Sequence, residues 1–305
     1  FEEFSGLVVG ESHSEIGAKQ FLIDNMQTLA RHGVKTIYLE HLLTDFHQAA
    51  LDNFARTSVM PRNLEWYLIS QDLGHLTDPS GRYTFLNLVL ESNKHGIRVQ
   101  AIDCMASYKL DGMQTYELAI RQKMMNFHAR TVISADQTTR GTHRWVALMG
   151  NSHSNTFEGV AGVSELEGAI GLRVEDVAQG HSNGIEPDPG RTFLDHSGAS
   201  AGLAKGDLRL QVETPWYAQT RPELEKLLAR PGLYTLKREP RQTFLCHRSR
   251  ENRMVLTPIE FESGRFFIER PSCPNLHEKR FDSIHALLKA LDQRGMKLVG
   301  WSKPL

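Results

Sequence analysis

Acidic and imidazole side chains recur at the ends of short apolar stretches in the N-terminal half of this chain. Gly10-Glu11-Ser12-His13 follows the first stretch and Glu40-His41 follows the second. Asp103 follows the third, and Gly150-Asn151-Ser152-His153 follows the fourth. A carboxylate beside a neutral imidazole can act as a general base on water, a contribution of about 10² to 10⁴ in rate. Two histidines and a carboxylate are also a common ligand set for a metal ion, so both chemistries stay open.

The elements that must position these groups alternate between predicted strands and helices. Gly6–Val9 predicts a strand, residues 14–29 predict a helix with apolar residues at helical spacing, and Val34–Leu39 predicts a second strand. This order indicates a right-handed crossover onto a parallel sheet. The pattern continues with predicted helices at 85–95 and 114–136 and predicted strands at 97–102, 144–148 and 172–177. The sequence therefore predicts an α/β domain with a mostly parallel sheet.

The carboxyl ends of parallel strands meet at one edge of a sheet, where ligands bind. We therefore expect Glu11, His13, Glu40 and His153 to share one pocket. Any one of them alone is more simply explained as a helix-terminal, surface or satisfied core residue, and only their joint occurrence favours a functional site.

Arg121 lies in the predicted helix at 114–136 and has two interpretations. It could hold an anionic or carboxylate group, or it could belong to a solvated face with Lys123, Asn126 and His128. The sequence alone leaves both open.

Other nucleophiles and cysteine chemistry are disfavoured. Ser12 and Ser152 lack a Gly-x-Ser-x-Gly elbow. The three cysteines, Cys104, Cys246 and Cys273, are far apart and form no Cys-x-x-Cys pair, so we expect reduced thiols rather than disulfides or a zinc knuckle.

The paired Gly-x-x-His motifs, Gly10–His13 and Gly150–His153, with Glu40 between them, resemble the superfamily of Tiki proteases, TraB proteins, erythromycin esterases and ChaN-like haem-uptake proteins. The opening Gly-Glu-x-His and the segment Tyr38–His41 look closest to its ChaN-like and toxin-associated branches. The resemblance covers roughly residues 4–178.

This resemblance implies roles for the same side chains. Glu11 would be a base or a water-orienting group, and His13 and His153 would be catalytic or metal-binding. Glu40 would support them, and Arg121 would hold substrate. The implied metal ligands are His13, Glu40 and His153, but superfamily members use a divalent metal, no metal or haem, so the cofactor stays unknown.

The chain divides by charge into two predicted domains. Residues 1–206 carry 17 Lys and Arg against 24 Asp and Glu, a net −7, whereas residues 207–305 carry 18 against 12, a net +6. Turn-forming Gly, Pro, Ser and Asn at 178–206 predict a linker. The basic half favours an anionic partner, but it lacks the interleaved aromatic residues of a nucleic-acid surface. No apolar run is long enough to span a membrane, and the chain begins at Phe1, so we expect a piece of a longer protein.

The second half predicts a small α+β domain and resembles the Src homology 2 domain. Trp216-Tyr217 matches that family's opening aromatic pair, and Arg221 and Glu225 match its first helix. Gly232–Lys237 matches its phosphate-binding strand, and Phe281–Leu291 its last helix.

The resemblance implies a phosphotyrosine site formed by Arg221, Lys237, Arg238 and His247. Lys237 stands where the family has arginine, so it supplies a compact charge and cannot form a bidentate contact with phosphate. Glu239 stands where a serine is usual and would repel an anion. Enough positive charge remains for a phosphotyrosine of about −1.5 to −2.

Together the two resemblances predict a secreted bacterial effector that acts in the host cytoplasm. The second domain would bind a tyrosine-phosphorylated host protein and so place beside it a hydrolase of ester or amide bonds, whose small-molecule or peptide substrate stays unknown. The alternative is a non-catalytic adaptor whose first domain only binds a ligand or protein.

Overall fold

The structure is a computed structural model, and it describes most of the N-terminal two thirds of the chain and parts of the remainder. The described residues are 3–13, 15–74, 82–107, 118–177, 180–194, 200–214, 233–239, 242–248, 254–262, 265–268, 279–282, 284–294 and 297–302. The chain divides into two compact units. The first holds most of the chain up to Glu213, beyond the boundary expected near residue 206, and the second holds Thr214–Leu305 with two short N-terminal pieces.

The first unit is organised around a seven-stranded sheet. Its strands, in the order in which they lie side by side, are β3 (Arg98–Asp103), β2 (Val34–Leu43), β4 (Arg144–Gly150), β1 (Gly6–Glu11), β5 (Ile170–Val177), β9 (Leu208–Glu213) and β6 (Ile185–Pro187). All neighbouring pairs are parallel except β6 and β9. The predicted mostly parallel α/β architecture is confirmed.

Eight α-helices are described between these strands. They are α1 (Gly17–Asp24), α2 (Met26–Arg31), α3 (Thr44–Thr57), α4 (Arg62–Gly74), α5 (Phe85–Lys94), α6 (Leu118–Arg140), α7 (Asn151–Ser154) and α8 (Val163–Glu167). The single helix expected at 14–29 is therefore two helices separated at Asn25. The first residues of the helix expected at 114–136 lie outside the described residues.

The centre of the sheet is buried on both faces. Val8, Val9, Ile37, Leu39 and Leu148 are fully inaccessible to solvent. Burial on both faces explains why these strands read as continuous apolar runs rather than as alternating patterns. Strands β1, β2 and β3 also extend past their apolar runs, so Glu11, Glu40 and Asp103 lie within the strands rather than in the loops after them.

The segment expected to be a linker contains strands. Besides β6, it includes the antiparallel pair β7 (Arg191–Leu194) and β8 (Ser200–Ala204). Turn residues are also the residues that join short strands, so their composition did not distinguish a linker from a small sheet.

In its C-terminal part, Thr214–Leu305, the second unit contains a five-stranded sheet and one described helix. The strands lie in the order β13 (Arg265–Phe267), β12 (Met254–Glu262), β11 (Gln242–Arg248), β10 (Leu233–Glu239) and β14 (Lys297–Ser302), and the helix is α9 (Ile284–Asp292). Strands β10 to β13 are antiparallel, and β14 runs parallel to β10. The expected helix at 221–228, with Arg221 and Trp216-Tyr217, lies outside the described residues.

None of the helices in the described part of the chain has the length and apolar character needed to cross a bilayer.

Candidate functional site

Glu11 is a buried carboxylate at the carboxyl end of β1. Its Oε2 lies 3.2 Å from Lys19 Nζ, and its Oε1 lies 3.0 Å from His41 Nε2. The side chains of Glu11 and Lys19 are 1% and 0% exposed. Glu11 therefore stands between an ammonium group and an imidazole, away from bulk water.

Lys19 reaches this carboxylate because helix α1 packs tightly on the sheet. The helix starts at Gly17, whose N–H donates to Asp176 Oδ1 of β5 at 2.7 Å. A Cβ at Gly17 would lie 2.5 Å from that same oxygen, so only glycine allows this approach. Ala18 and Leu22 are buried beside Lys19. The first turn of α1 thus carries the lysine to the end of β1.

The side chain of Glu40, on β2, contacts the end of the neighbouring strand β4 and the histidine that follows it. The N–H of Gly150 donates to Glu40 Oε2 at 2.5 Å, and Glu40 Oε1 lies 3.5 Å from His153 Nε2. Gly150 is also the register partner of Glu11. The carboxyl ends of β1, β4 and β2 thus bring Glu11, Glu40 and His153 to one edge of the sheet.

The tautomer of His153 is set from the side opposite Glu40. Its Nδ1 lies 2.7 Å from Asn126 Oδ1, and the Asn126 amide nitrogen donates to the carbonyl oxygen of Ala161 at 2.8 Å. Asn126 therefore presents its oxygen, and Nδ1 must carry the proton. In the neutral ring the lone pair is then on Nε2, the nitrogen that lies 3.5 Å from Glu40 Oε1.

His13 follows β1 in an exposed turn. Glu11, His13 and His41 each have one possible ligand atom within 4.8 Å of the other two. Among the described residues, this is the one group of three or more side chains that could hold a metal ion. The structure thus groups His13 with Glu11 and His41, whereas Glu40 and His153 contact each other. The expected set of metal ligands is divided between these two arrangements.

The Glu11 group is a poor fit for a resident divalent ion. Metal to carboxylate-oxygen distances are about 2.0 to 2.2 Å, so an ion on Glu11 Oε2 would lie near the Lys19 ammonium. The repulsion between charges of +2 and +1 at roughly 5 Å is on the order of 6 kcal/mol at an effective dielectric constant of about 20. Lys19 already supplies positive charge to this carboxylate.

Arg121 lies in a buried ion pair at the end of β3. Its Nη2 donates to Asp103 Oδ2 at 2.8 Å, and Ser107 Oγ donates to Asp103 Oδ1 at 2.6 Å. Arg121 is 5% exposed, so it does not belong to a solvated face. Its guanidinium is engaged with Asp103, and the substrate-holding role stays a prediction.

Sequence reasoning missed Lys19 and Asn126. Asn126 was considered only as part of a solvated face, yet it is 1% exposed. A weak signal existed for each. Lys19 interrupts the apolar face between Ala18 and Leu22, and Asn126 directly follows the buried Met125 on helix α6.

Comparisons with known proteins point to bacterial toxins. The chain is 28% identical over 163 residues to a multifunctional-autoprocessing repeats-in-toxin of Vibrio vulnificus, which covers 53% of this chain and 3% of the toxin. No protein-family model matches the chain. The prediction of a toxin-associated relationship agrees with this similarity.

The solved structures to which the chain is similar include two bacterial effectors and one haem-binding protein. RRSP, a MARTX toxin effector domain from Vibrio vulnificus CMCP6, is 26% identical with a TM-score of 0.48 over 57% of this chain and 34% of its own. The type III effector HopBA1 is 12% identical with a TM-score of 0.45, over 68% of this chain and 88% of its own. ChaN of Campylobacter jejuni, described with cofacial haem binding, is 11% identical with a TM-score of 0.36, over 68% of this chain and 87% of its own.

The similarity to a repeats-in-toxin protein agrees with the predicted localisation as a secreted bacterial effector. The chain spans only a small part of the toxin and about a third of the RRSP structure. None of the three structures is named for a Src homology 2 domain, so phosphotyrosine binding stays a proposal.

Proposed function

We propose that the first unit is the hydrolase of a bacterial effector and that it cleaves an ester or amide bond in a host protein. The observation that carries this proposal is the arrangement of Asn126, His153 and Glu40. One ring nitrogen of His153 is held by an amide oxygen at 2.7 Å, and the other lies 3.5 Å from a carboxylate. A histidine held in this way has the tautomer and the neighbouring charge that a general base requires.

The proposed reaction begins when His153 Nε2 takes a proton from water. The water oxygen forms a bond to the substrate carbonyl carbon, and the resulting imidazolium is stabilised by Glu40. The proton then passes to the leaving oxygen or nitrogen as its bond to the carbonyl carbon breaks. Glu11, held by Lys19 and His41, orients the attacking water, and the exposed His13 contacts the substrate.

The similarity to toxins supports a host protein as substrate. The repeats-in-toxin relative and the RRSP effector domain are both described as toxin proteins. Since this chain spans a small part of the toxin, the activity of the whole toxin is not carried over, and the bond cleaved is left open between ester and amide.

The test compares the intact chain with Glu11→Gln and His153→Ala variants inside animal cells. Mass spectrometry of host proteins should show new chain ends or hydrolysed side chains with the unmodified protein, and at least about 10²-fold fewer with either variant. His181→Ala, an exposed histidine, is the matched control and should act like the unmodified protein. If both variants fold and leave every host modification and cellular effect unchanged, the hydrolase proposal fails and the non-catalytic adaptor is favoured.

For the second unit we propose phosphotyrosine binding. Strands β11, β12 and β13 and the helix α9 supply a sheet and a helix of the kind that this proposal requires. Lys237 and Arg238 lie on β10, where they pair with Phe244 and Thr243, and His247 pairs with Tyr234. The net charge of +6 over residues 207–305 supports an anionic ligand.

Titration with a phosphotyrosine peptide and its unphosphorylated twin tests this second proposal. The phosphorylated peptide should bind more tightly, and whichever of Lys237→Ala and Arg238→Ala removes the charge on the binding face should weaken it by about 1.5 to 3 kcal/mol. Because consecutive strand positions alternate between faces, comparing these two variants identifies the binding face. Equal affinity for both peptides would exclude a phosphotyrosine reader, whatever the first unit does.

A further inference from the structure

We infer that the buried Lys19 ammonium group takes the place of a divalent metal ion in the candidate site. This inference deepens the proposed function, because it concerns the carboxylate that would orient the attacking water. The Lys19 ammonium is fully buried and lies 3.2 Å from Glu11 Oε2, while His41 Nε2 lies 3.0 Å from the other carboxylate oxygen.

Stability alone is a weak reason to place a lysine at this position. Taking an ammonium and a carboxylate out of water costs several kcal/mol for each ion, and a buried pair often contributes no more than apolar residues of similar volume. Lys19 lies between the buried Ala18 and Leu22, on a helix face where an apolar side chain would pack without that cost. The charge is therefore explained by what it does to Glu11.

The charge has two consequences for Glu11. It favours the ionised carboxylate, and the contact fixes the direction in which its oxygens point. A metal ion would do both, and Glu11, His13 and His41 have ligand atoms close enough to hold one. The ammonium supplies the same charge from within the chain, so these three donors serve the site without a metal.

Removing the charge should therefore create a metal site. In Lys19→Met the side chain at position 19 keeps its bulk and loses its charge. The Glu11 carboxylate and the two imidazoles are then left without a neighbouring cation and are available to bind a metal ion. Lys19→Arg keeps the charge and is the matched control.

The experiment measures binding of Zn²⁺ and Mn²⁺ by calorimetry to the full chain without substrate. Lys19→Met should bind one equivalent of at least one of the two ions at least tenfold more tightly than the unmodified protein and Lys19→Arg. The double variant Lys19→Met with Glu11→Gln should lose that gain. Because no substrate is present, failure of the hydrolase proposal would leave this result unchanged.

The opposite result is equally clear. If the unmodified protein binds one equivalent of either ion as tightly as Lys19→Met, and Glu11→Gln abolishes that binding, the inference is wrong. If Lys19→Met does not fold, the unmodified protein, Lys19→Arg and Glu11→Gln are compared instead. Metal binding by the unmodified protein that is lost in Glu11→Gln would overturn the inference. The absence of such binding would support it.

Discussion

Asn126 and His153 are joined by a contact of 2.7 Å between Oδ1 and Nδ1, and the Asn126 amide is itself oriented by the carbonyl of Ala161. Helix α6 thus determines which nitrogen of a histidine on helix α7 carries the proton. The other nitrogen faces Glu40. Asn126, which is not among the predicted site residues, therefore determines which ring nitrogen of the predicted site residue His153 carries the proton.

Replacing Asn126 by alanine should release the His153 ring. We expect the Nδ1-protonated form to lose its preference and the proposed turnover to fall by up to about 10²-fold, within the range of a general base. Nitrogen NMR of the imidazole measures the tautomer without any substrate. Thr131→Ala, on the exposed side of the same helix, is the control. An unchanged tautomer in Asn126→Ala would contradict the assignment.

Glu40→Gln separates charge from hydrogen bonding. The glutamine oxygen can still accept the Gly150 N–H, but the negative charge near His153 Nε2 is lost. If the imidazolium loses about 1.4 kcal/mol of stabilisation, turnover should fall about tenfold, with little change in melting temperature. Glu213→Gln, an exposed carboxylate, should change neither. A fully active Glu40→Gln protein would remove Glu40 from the mechanism.

His47 should make the start of helix α3 sensitive to acid. The N–H of Leu43 donates to His47 Nδ1 at 2.9 Å, so the ring must be unprotonated at that atom. Burial lowers the pKa of His47 below its usual 6.5, partly opposed by the charge of Asp45. Because the lowered pKa favours the neutral ring in the folded state, its contribution to stability is complete above the unfolded pKa and is lost as pH falls.

Thermal melts between about pH 7 and pH 5 test this effect. The unmodified protein should lose more stability over that range than His47→Gln, whose side chain does not titrate. Parallel pH profiles for the two proteins would show that His47 does not contribute.

Arg173 and Asp188 form a buried bidentate pair in the first unit. Arg173 donates to the two Asp188 oxygens at 2.8 and 2.7 Å, and the N–H groups of Gly190 and Gly206 also donate to them. Burial alone would raise the pKa of Asp188, but these hydrogen bonds outweigh it and lower the pKa below its usual 3.8. The contribution of Asp188 is therefore present above that value and lost as pH falls below it.

Asp188→Asn should destabilise the protein by about 3 kcal/mol, at the low end of the range for a broken buried pair, because the buried guanidinium keeps only the more distant Glu175, 3.6 Å away, as a counter-charge. Urea denaturation measures the change. The double variant Arg173→Met with Asp188→Leu removes both charges and should recover much of the loss. A double variant less stable than Asp188→Asn would contradict this account.

The strands that position the site were predictable because burial on both faces leaves a continuous apolar run. Val8 and Val9, and Ile37 to Leu39, are fully buried, and their ends were marked by Glu11 and Glu40. The strands in the segment expected to be a linker were not predictable in this way, since β6, β7 and β8 are short and rich in turn residues.

By itself the sequence determined which acidic and imidazole groups stand at the ends of the parallel strands, because strand periodicity and chain order are local properties. Which of these groups meet was decided only by the tertiary structure. Glu11 and His41 meet across the end of β4, and Asn126 reaches His153 from a separate helix. The burial of Lys19 beside Glu11 depends in the same way on how α1 packs against β5, and packing between distant segments leaves no fixed spacing in a sequence.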